Sequence, residues 1–308
     1  MIRVLTALCL LQGCSFVLVD EPCDTGSSSA RDDTGDRAGL RFQAVGTGAT
    51  HSCGILDSGA LMCWGLGDEG QLDVPDGTYA QLAVGHAHAC AVDDGGAAQC
   101  WGRSDDGQTE LNGAFIAITA GGAHSCGLDV DGQVLCVGSN DWGQLDVPDG
   151  RYQHVVAGAN HTCALTDPEE GRQVAAVCWG SIESESIGKG TATALISGMD
   201  WACAEVEDTE TTVSCIGEDG EGQHTVPEGL ELAAASAGAH HACGIDDAGA
   251  AQCWGDDSAG QQSAPDGPFL RLASGPTSLH TCGILDEGDP AVGGVLCWGL
   301  DAENQLSP

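Results

Sequence analysis

The sequence predicts an all-β fold: a seven-bladed β-propeller, with small antiparallel sheets standing radially in a ring. Three observations predict it. First, the chain repeats itself seven times. Each unit is marked by a cysteine pair whose first members are Cys53, Cys90, Cys126, Cys163, Cys203, Cys243 and Cys282, at steps of 37, 36, 37, 40, 40 and 39 residues. Second, each unit alternates apolar with small or polar residues in short runs bounded by Gly, Asp and Pro, the pattern of strands and turns rather than of helices. Third, one such sheet cannot bury both faces, whereas seven set radially can, and closure leaves only short edges. An open solenoid of sheets is the competing geometry, but seven units of this length favour the ring.

The elements of a unit follow in order. A run such as Tyr79–Val84, ended by Gly85, is the first strand. His-x-Cys and two further residues, as in His88-Ala89-Cys90-Ala91-Val92, form the second. A turn such as Asp93-Asp94-Gly95-Gly96 leads to Cys100-Trp101-Gly102, the third. A Gly-Gln step, as in Gly70-Gln71-Leu72, and then Pro75-Asp76-Gly77 close the unit. Asp-Gly and Pro-Asp-Gly suit tight turns, where Gly permits positive φ and Pro presets its own.

The second cysteines are Cys63, Cys100, Cys136, Cys178, Cys215, Cys253 and Cys297. In units one, two, three and six they lie ten residues after the first. A hairpin with the three-residue turn Asp57-Ser58-Gly59 sets Cys53 opposite Cys63, with Cα atoms roughly 4.5–5.5 Å apart, within reach of a disulfide. The separations of 15, 12 and 15 in units four, five and seven require longer or bulged turns. One disulfide per blade is expected, against the alternative of reduced thiols as core filler. Seventeen cysteines without a Cys-x-x-Cys cluster point to an oxidising compartment rather than to metal.

His51, His88, His124, His161, His241 and His280 precede the first cysteine by two and share its face. They read as buried imidazoles bonded to neighbouring backbone carbonyls, since equivalent positions on a ring stand too far apart to share a metal. His51-Ser52 and His124-Ser125 are strand neighbours on opposite faces, so they are not nucleophile–base pairs. Trp64, Trp101, Trp179, Trp254 and Trp298 should fill the seams between blades. Trp142 lies outside the pattern and is the candidate exposed contact. Asp-rich turns such as Asp129–Gly132 are too short for a twelve-residue calcium loop. Units three, four and five depart from the pattern. Val137 and Ile216 stand where Trp is usual, Trp201 where His is usual, and Ser181–Gly190 replaces the Gly-Gln step. No catalytic, cofactor or metal site is expected.

Nine Lys and Arg against 46 Asp and Glu give a net charge of −37, which argues against nucleic acid as a partner. No apolar run reaches membrane-spanning length. Arg3, the apolar stretch Val4–Leu11 and then Leu11-Gln12-Gly13-Cys14 resemble a bacterial lipoprotein signal, which implies lipidation at Cys14; an ordinary secretory signal cut nearby is the alternative. Ser15 after it resembles an outer-membrane sorting signal. Residues 1–13 are thus expected to be a signal peptide, 14–40 a flexible acidic tether, and 41–308 the propeller. Asp24-Thr25-Gly26 reads as linker rather than as a protease signature. Cys9, Cys14 and Cys23 fall outside the repeats.

The phrase His-x-Cys … Cys-Trp-Gly … Gly-Gln-Leu … Pro-x-Gly resembles the regulator-of-chromosome-condensation (alpha-tubulin suppressor-like) repeat in its bacterial exported form. The resemblance covers about residues 41–308 and implies a seven-bladed propeller. It implies a non-enzymatic scaffold, tethered to the cell envelope as a monomer, touching the membrane only through its lipid and presenting loops to a protein or glycan. Some exported relatives are similar to a secreted β-lactamase inhibitor, so inhibition of an envelope enzyme is one version. Nucleotide exchange on a small GTPase, as in eukaryotic relatives, is the alternative.

Overall fold

The computed structural model describes residues 6–10, 13–17, 39–168, 173–182, 186–289 and 293–308. These fall in two units, residues 1–36 and 37–308. In the first, Thr6–Leu10 pairs antiparallel with Gly13–Val17. Cys23, most of the expected tether and the Cys14 side chain lie outside the described residues.

The second unit is seven antiparallel three-stranded sheets, each with strand order first–middle–outer. Blade 1 is Phe42–Thr47, His51–Leu56 and Leu61–Gly65. Blade 2 is Tyr79–Val84, His88–Asp93 and Ala98–Gly102. Blade 3 is Ala117–Ala120, His124–Leu128 and Val134–Gly138. Blade 4 is Tyr152–Ala157, His161–Thr166 and Ala176–Gly180. Blade 5 is Thr191–Ser197, Trp201–Glu207 and Thr211–Gly217. Blade 6 is Ala235–Ala237, His241–Ile245 and Ala251–Gly255. Blade 7 is Phe269–Ala273, His280–Leu285 and Val295–Gly299.

The hairpins form because their turns are chemically specified. In blade 1, Leu56 N–H donates to Ala60 O at 2.8 Å, and Gly59 takes φ +84°, a conformation costly for other residues. In blades 2, 3 and 6 an aspartate caps the turn. Asp129 Oδ1, for example, accepts the N–H groups of Asp131 and Gln133 at 2.9 and 2.8 Å. These carboxylates therefore do the work of turns. The resulting register sets the paired cysteines directly opposite one another in every blade.

The ring closes. First strands of all seven blades line one central cavity of about 620 Å³. Loops after those strands bond from blade to blade: Ala49 N–H to His86 O, Gly122 N–H to Ala159 O, Ala159 N–H to Met199 O, Met199 N–H to Ala239 O and Ala239 N–H to Ser278 O, at 2.9–3.2 Å. Blade 7 returns beside blade 1. Phe42 N–H donates to Gly293 O at 2.8 Å, and Gly275 N–H donates to Thr47 Oγ1 at 2.8 Å. Six buried apolar clusters each cross one seam. Among the described residues the seam between blades 2 and 3 has none, and there Val137 replaces the usual Trp.

Candidate functional site

Seven disulfides, Cys53–Cys63, Cys90–Cys100, Cys126–Cys136, Cys163–Cys178, Cys203–Cys215, Cys243–Cys253 and Cys282–Cys297, each join a middle strand to its outer strand, with Cα atoms 4.0–4.1 Å apart. The spacing is tighter than the hairpin expectation. It is nearest to that of facing residues that exchange no backbone hydrogen bond.

Five of the six repeated histidines, all but His51, reach a hydroxyl on the next blade, a bond that was not expected. His88 Nε2 meets Ser125 Oγ at 2.9 Å, His124 meets Thr162 at 3.0 Å, His241 meets Thr281 at 2.9 Å, and His280 meets Ser52 at 2.8 Å. The hydroxyls of Ser52, Ser125 and Thr162 in turn donate to the carbonyls of Gln305, Gln108 and Gln144. A hydroxyl has one proton, so in these three pairs Nε2 carries the hydrogen and donates. In blades 1, 2, 3, 4 and 6 the glycine after the first strand makes room for the ring. A Cβ at Gly85 would stand 2.4 Å from His88 Cε1.

Burial holds these imidazoles neutral. The pKa falls to about 3 for His88, His161 and His280, and to about 4 for His51, His124 and His241. Desolvation is the first cause in each case; neighbouring histidines lower all but His124 further, while a backbone hydrogen bond opposes the shift at His88 and His124 and Asp256 opposes it at His241. The Nδ1 atoms of His88, His124, His161 and His241 are buried without a partner, so a proton there would be an unmatched donor. His88 with Ser125 and His280 with Ser52 pair imidazole and hydroxyl across blades rather than along a strand, but with Nε2 donating the imidazole is not placed as a base towards the hydroxyl. All four residues are 0% exposed, which denies a substrate access. Among the described residues no three His, Cys, Asp or Glu side chains gather to hold a metal ion.

The Gly-Gln step supplies a second repeated bond. Gln71, Gln144, Gln223, Gln261 and Gln305 offer their carbonyls to Nε1 of Trp101, Trp179, Trp254, Trp298 and Trp64 on the following blade, at 2.8–2.9 Å. The glutamine Oε1 accepts the N–H two residues earlier, which locks the loop. Sequence reasoning gave the glutamines no role. In blade 5, Trp201 takes the histidine position and donates to Ala239 O at 2.9 Å. His161, facing Ala202, turns instead to Ser197 at 2.7 Å. His51 faces Ala89, and neither of its ring nitrogens has a partner.

Asp200 and His154 respond to burial, which raises the aspartate pKa and lowers the histidine pKa. Trp142 is 61% exposed, whereas the other six tryptophans are buried. Among the described residues no helix is long and apolar enough to cross a membrane.

This geometry defines a seven-bladed β-propeller of disulfide-stapled blades. The profile of the regulator of chromosome condensation (RCC1) repeat matches residues 42–71, 79–108 and 115–144, which lie in blades 1 to 3. Among solved structures the chain is similar to the ectodomain of the Physcomitrella patens receptor kinase CR4, at 21% identity over 84% of this chain and 74% of that one, with TM-score 0.67. It is also similar to the CRINKLY WD40 ectodomain of the Arabidopsis thaliana receptor kinase ACR4, at 24% identity over 85% and 98%, TM-score 0.64. A third is Prp20p from Saccharomyces cerevisiae, at 15% identity over 84% and 82%, TM-score 0.60. At these identities the likeness establishes the fold. No curated protein sequence matches the chain.

Proposed function

We propose that this protein is a non-enzymatic binding scaffold of the bacterial cell envelope. Residues 1–13 direct export, Cys14 carries the lipid, residues 14–40 form the tether, and the propeller presents its loops to a protein or glycan. Inhibition of an envelope enzyme is its most concrete version. The observation that carries the reading is the division of labour in the molecule. The repeated histidines, hydroxyls, glutamines and cysteines are consumed in seams and staples, while an indole, Trp142, is left in solvent. Seven disulfides support an oxidising compartment. They count against the alternative, nucleotide exchange on a small GTPase, even though Prp20p, which has this fold, has been studied for its binding to Gsp1p and histones. The test is capture of partners from the native envelope fraction by the purified chain, beside the Trp142→Ala variant, with mass analysis of the mature N-terminus. A defined partner lost in the variant and an N-terminal lipidated Cys14 are expected. A cytosolic chain beginning at Met1 would overturn the reading.

A further inference from the structure

We propose that the outer flank of blade 3 is a docking strip for a cationic polypeptide segment that lies along it in extended form. This rests on the scaffold reading and adds the surface and the chemistry of the partner. Among the described residues six large apolar side chains are exposed: Ile116, Val130, Leu135, Trp142, Val213 and Leu296. Four belong to blade 3. Val130, 78% exposed, sits in the turn leading to the outer strand; Leu135, 48% exposed, sits in that strand; Trp142 follows in the loop after it. Ile116 joins them at the turn end, where its N–H donates to Leu128 O at 2.8 Å. Singly exposed apolar side chains are ordinary, but such a concentration on one blade of seven is not.

The fold does not require these side chains. The loop position of Trp142 is filled by Glu69, Asp106, Glu221, Ala259 and Glu303 in other blades, and every one donates the same N–H to its glutamine. An indole there serves something outside the chain.

Charge selects the occupant. Residues 115–149 carry Asp129, Asp131, Asp141, Asp146 and Asp149 and no Lys or Arg. The flanking Arg103 and Arg151 are paired with Asp105 at 2.8 Å and Asp167 at 3.4 Å. A second copy, also at −37, would be repelled. Residues 14–40 carry six acidic residues against Arg31 and Arg37 and fit no better. Aliphatic Val130 and Leu135 offer a sugar no hydrogen bonds. Among the described residues, Val134–Gly138 bond through their backbone only to the middle strand, so the outer edge is open to an added strand. The partner is therefore a strand with apolar side chains at its centre and Lys or Arg at its ends, beside Asp129, Asp131 and Asp149 at the turn end, where Gln133 donates to Gly150 O, and Asp141 and Asp146 at the other.

The probe is a labelled peptide, Lys-Lys-Leu-Thr-Leu-Thr-Leu-Lys-Lys, titrated against the full chain by fluorescence anisotropy. Its controls replace Lys by Glu, or Leu by Ser. Saturable, salt-weakened binding of the first peptide alone is expected. Trp142→Ala, Leu135→Ser and Val130→Ser should each weaken it by about fivefold or more, while Val213→Ser and Leu296→Ser on other blades change it by less than about twofold. Absent binding, equal binding of the Glu peptide, or indifference to the blade 3 substitutions overturns the strip. A partner captured from the envelope and retained by the triple blade 3 variant would also reject the strip while leaving the scaffold reading intact. Capture of no partner at all would strike the scaffold reading itself.

Discussion

Acidification should unfold this propeller well before its carboxylates are protonated. Six imidazoles are fully buried and neutral, with pKa values near 3 or 4 instead of 6.5. Their folded pKa values lie below the unfolded ones, so the unfolded chain takes up protons first. Their stabilisation is complete above pH 6.5 and is lost as pH falls towards the folded values. At pH 5 each unfolded imidazole is nearly fully protonated and each folded one nearly neutral, a difference of about 2 kcal/mol per histidine and roughly 12 kcal/mol in all. That rivals the whole stability of an ordinary domain, about 5–15 kcal/mol. Charged neighbours modify it only in part: His86 near His51 and His240 near His241 act in the same sense, and Asp256 opposes at His241. Relief of repulsion among the carboxylates comes mostly nearer pH 4, below this window. Urea unfolding with disulfides intact, followed by near-ultraviolet circular dichroism from pH 7.5 to 5, measures the effect. The transition midpoint should fall steeply below pH 6.5, with a proton uptake on unfolding that approaches six. A flat profile, or histidine resonances titrating near pH 6.5 in the folded protein, would refute the argument.

Three further outcomes follow from single contacts. Ala89→Ser should give the unpartnered His51 the hydroxyl its counterparts have and stabilise the protein by about 1 kcal/mol, read as a rise in urea midpoint at pH 7.5. Replacing Cys90 and Cys100 together by Ala should lower stability by about 3 kcal/mol, as expected for opening a loop of this length, without loss of the ring's circular dichroism. Trp101→Phe should cost more than Trp179→Phe in parallel melts. Trp101 is the donor found on Gln71 O, whereas Gln144 O retains its bond from Thr162.

What the sequence made legible was whatever is local. Cysteine spacing and Asp-Gly turns fix the hairpin, and the hairpin fixes the staple, because all of these lie within about a dozen residues. The seam bonds were not legible, because their partners are one blade apart. The residue between His and Cys is Ser52, Ser125, Thr162 or Thr281 where the preceding blade's histidine uses it, and Ala89, Ala202 or Ala242 where that histidine is unpaired, redirected to Ser197 or replaced by Trp201. The pattern is present in the sequence. It becomes readable only once the middle strand of one blade is known to face that of the next.

The same logic reinterprets the apparent drift of units four and five. Blade 4 lacks its glutamine step and blade 5 lacks its Trp, and these are two halves of one absent bond. Ile187 and Ile216 both join the apolar cluster of that seam instead, apolar packing replacing a polar bond. Blade 3 is different: Val137 replaces Trp, but Gln108 is present and its carbonyl accepts only Ser125. At the matching seams, Gln144 O and Gln305 O each accept both a hydroxyl and an indole. Val137→Trp should therefore raise stability, by about 1 kcal/mol from the bond and more if the ring seats fully. Ile216→Trp should lower it, because the same indole N–H would be buried with no acceptor. Equal effects of the two substitutions on the urea midpoint would mean that ring size, not the glutamine carbonyl, governs the seam.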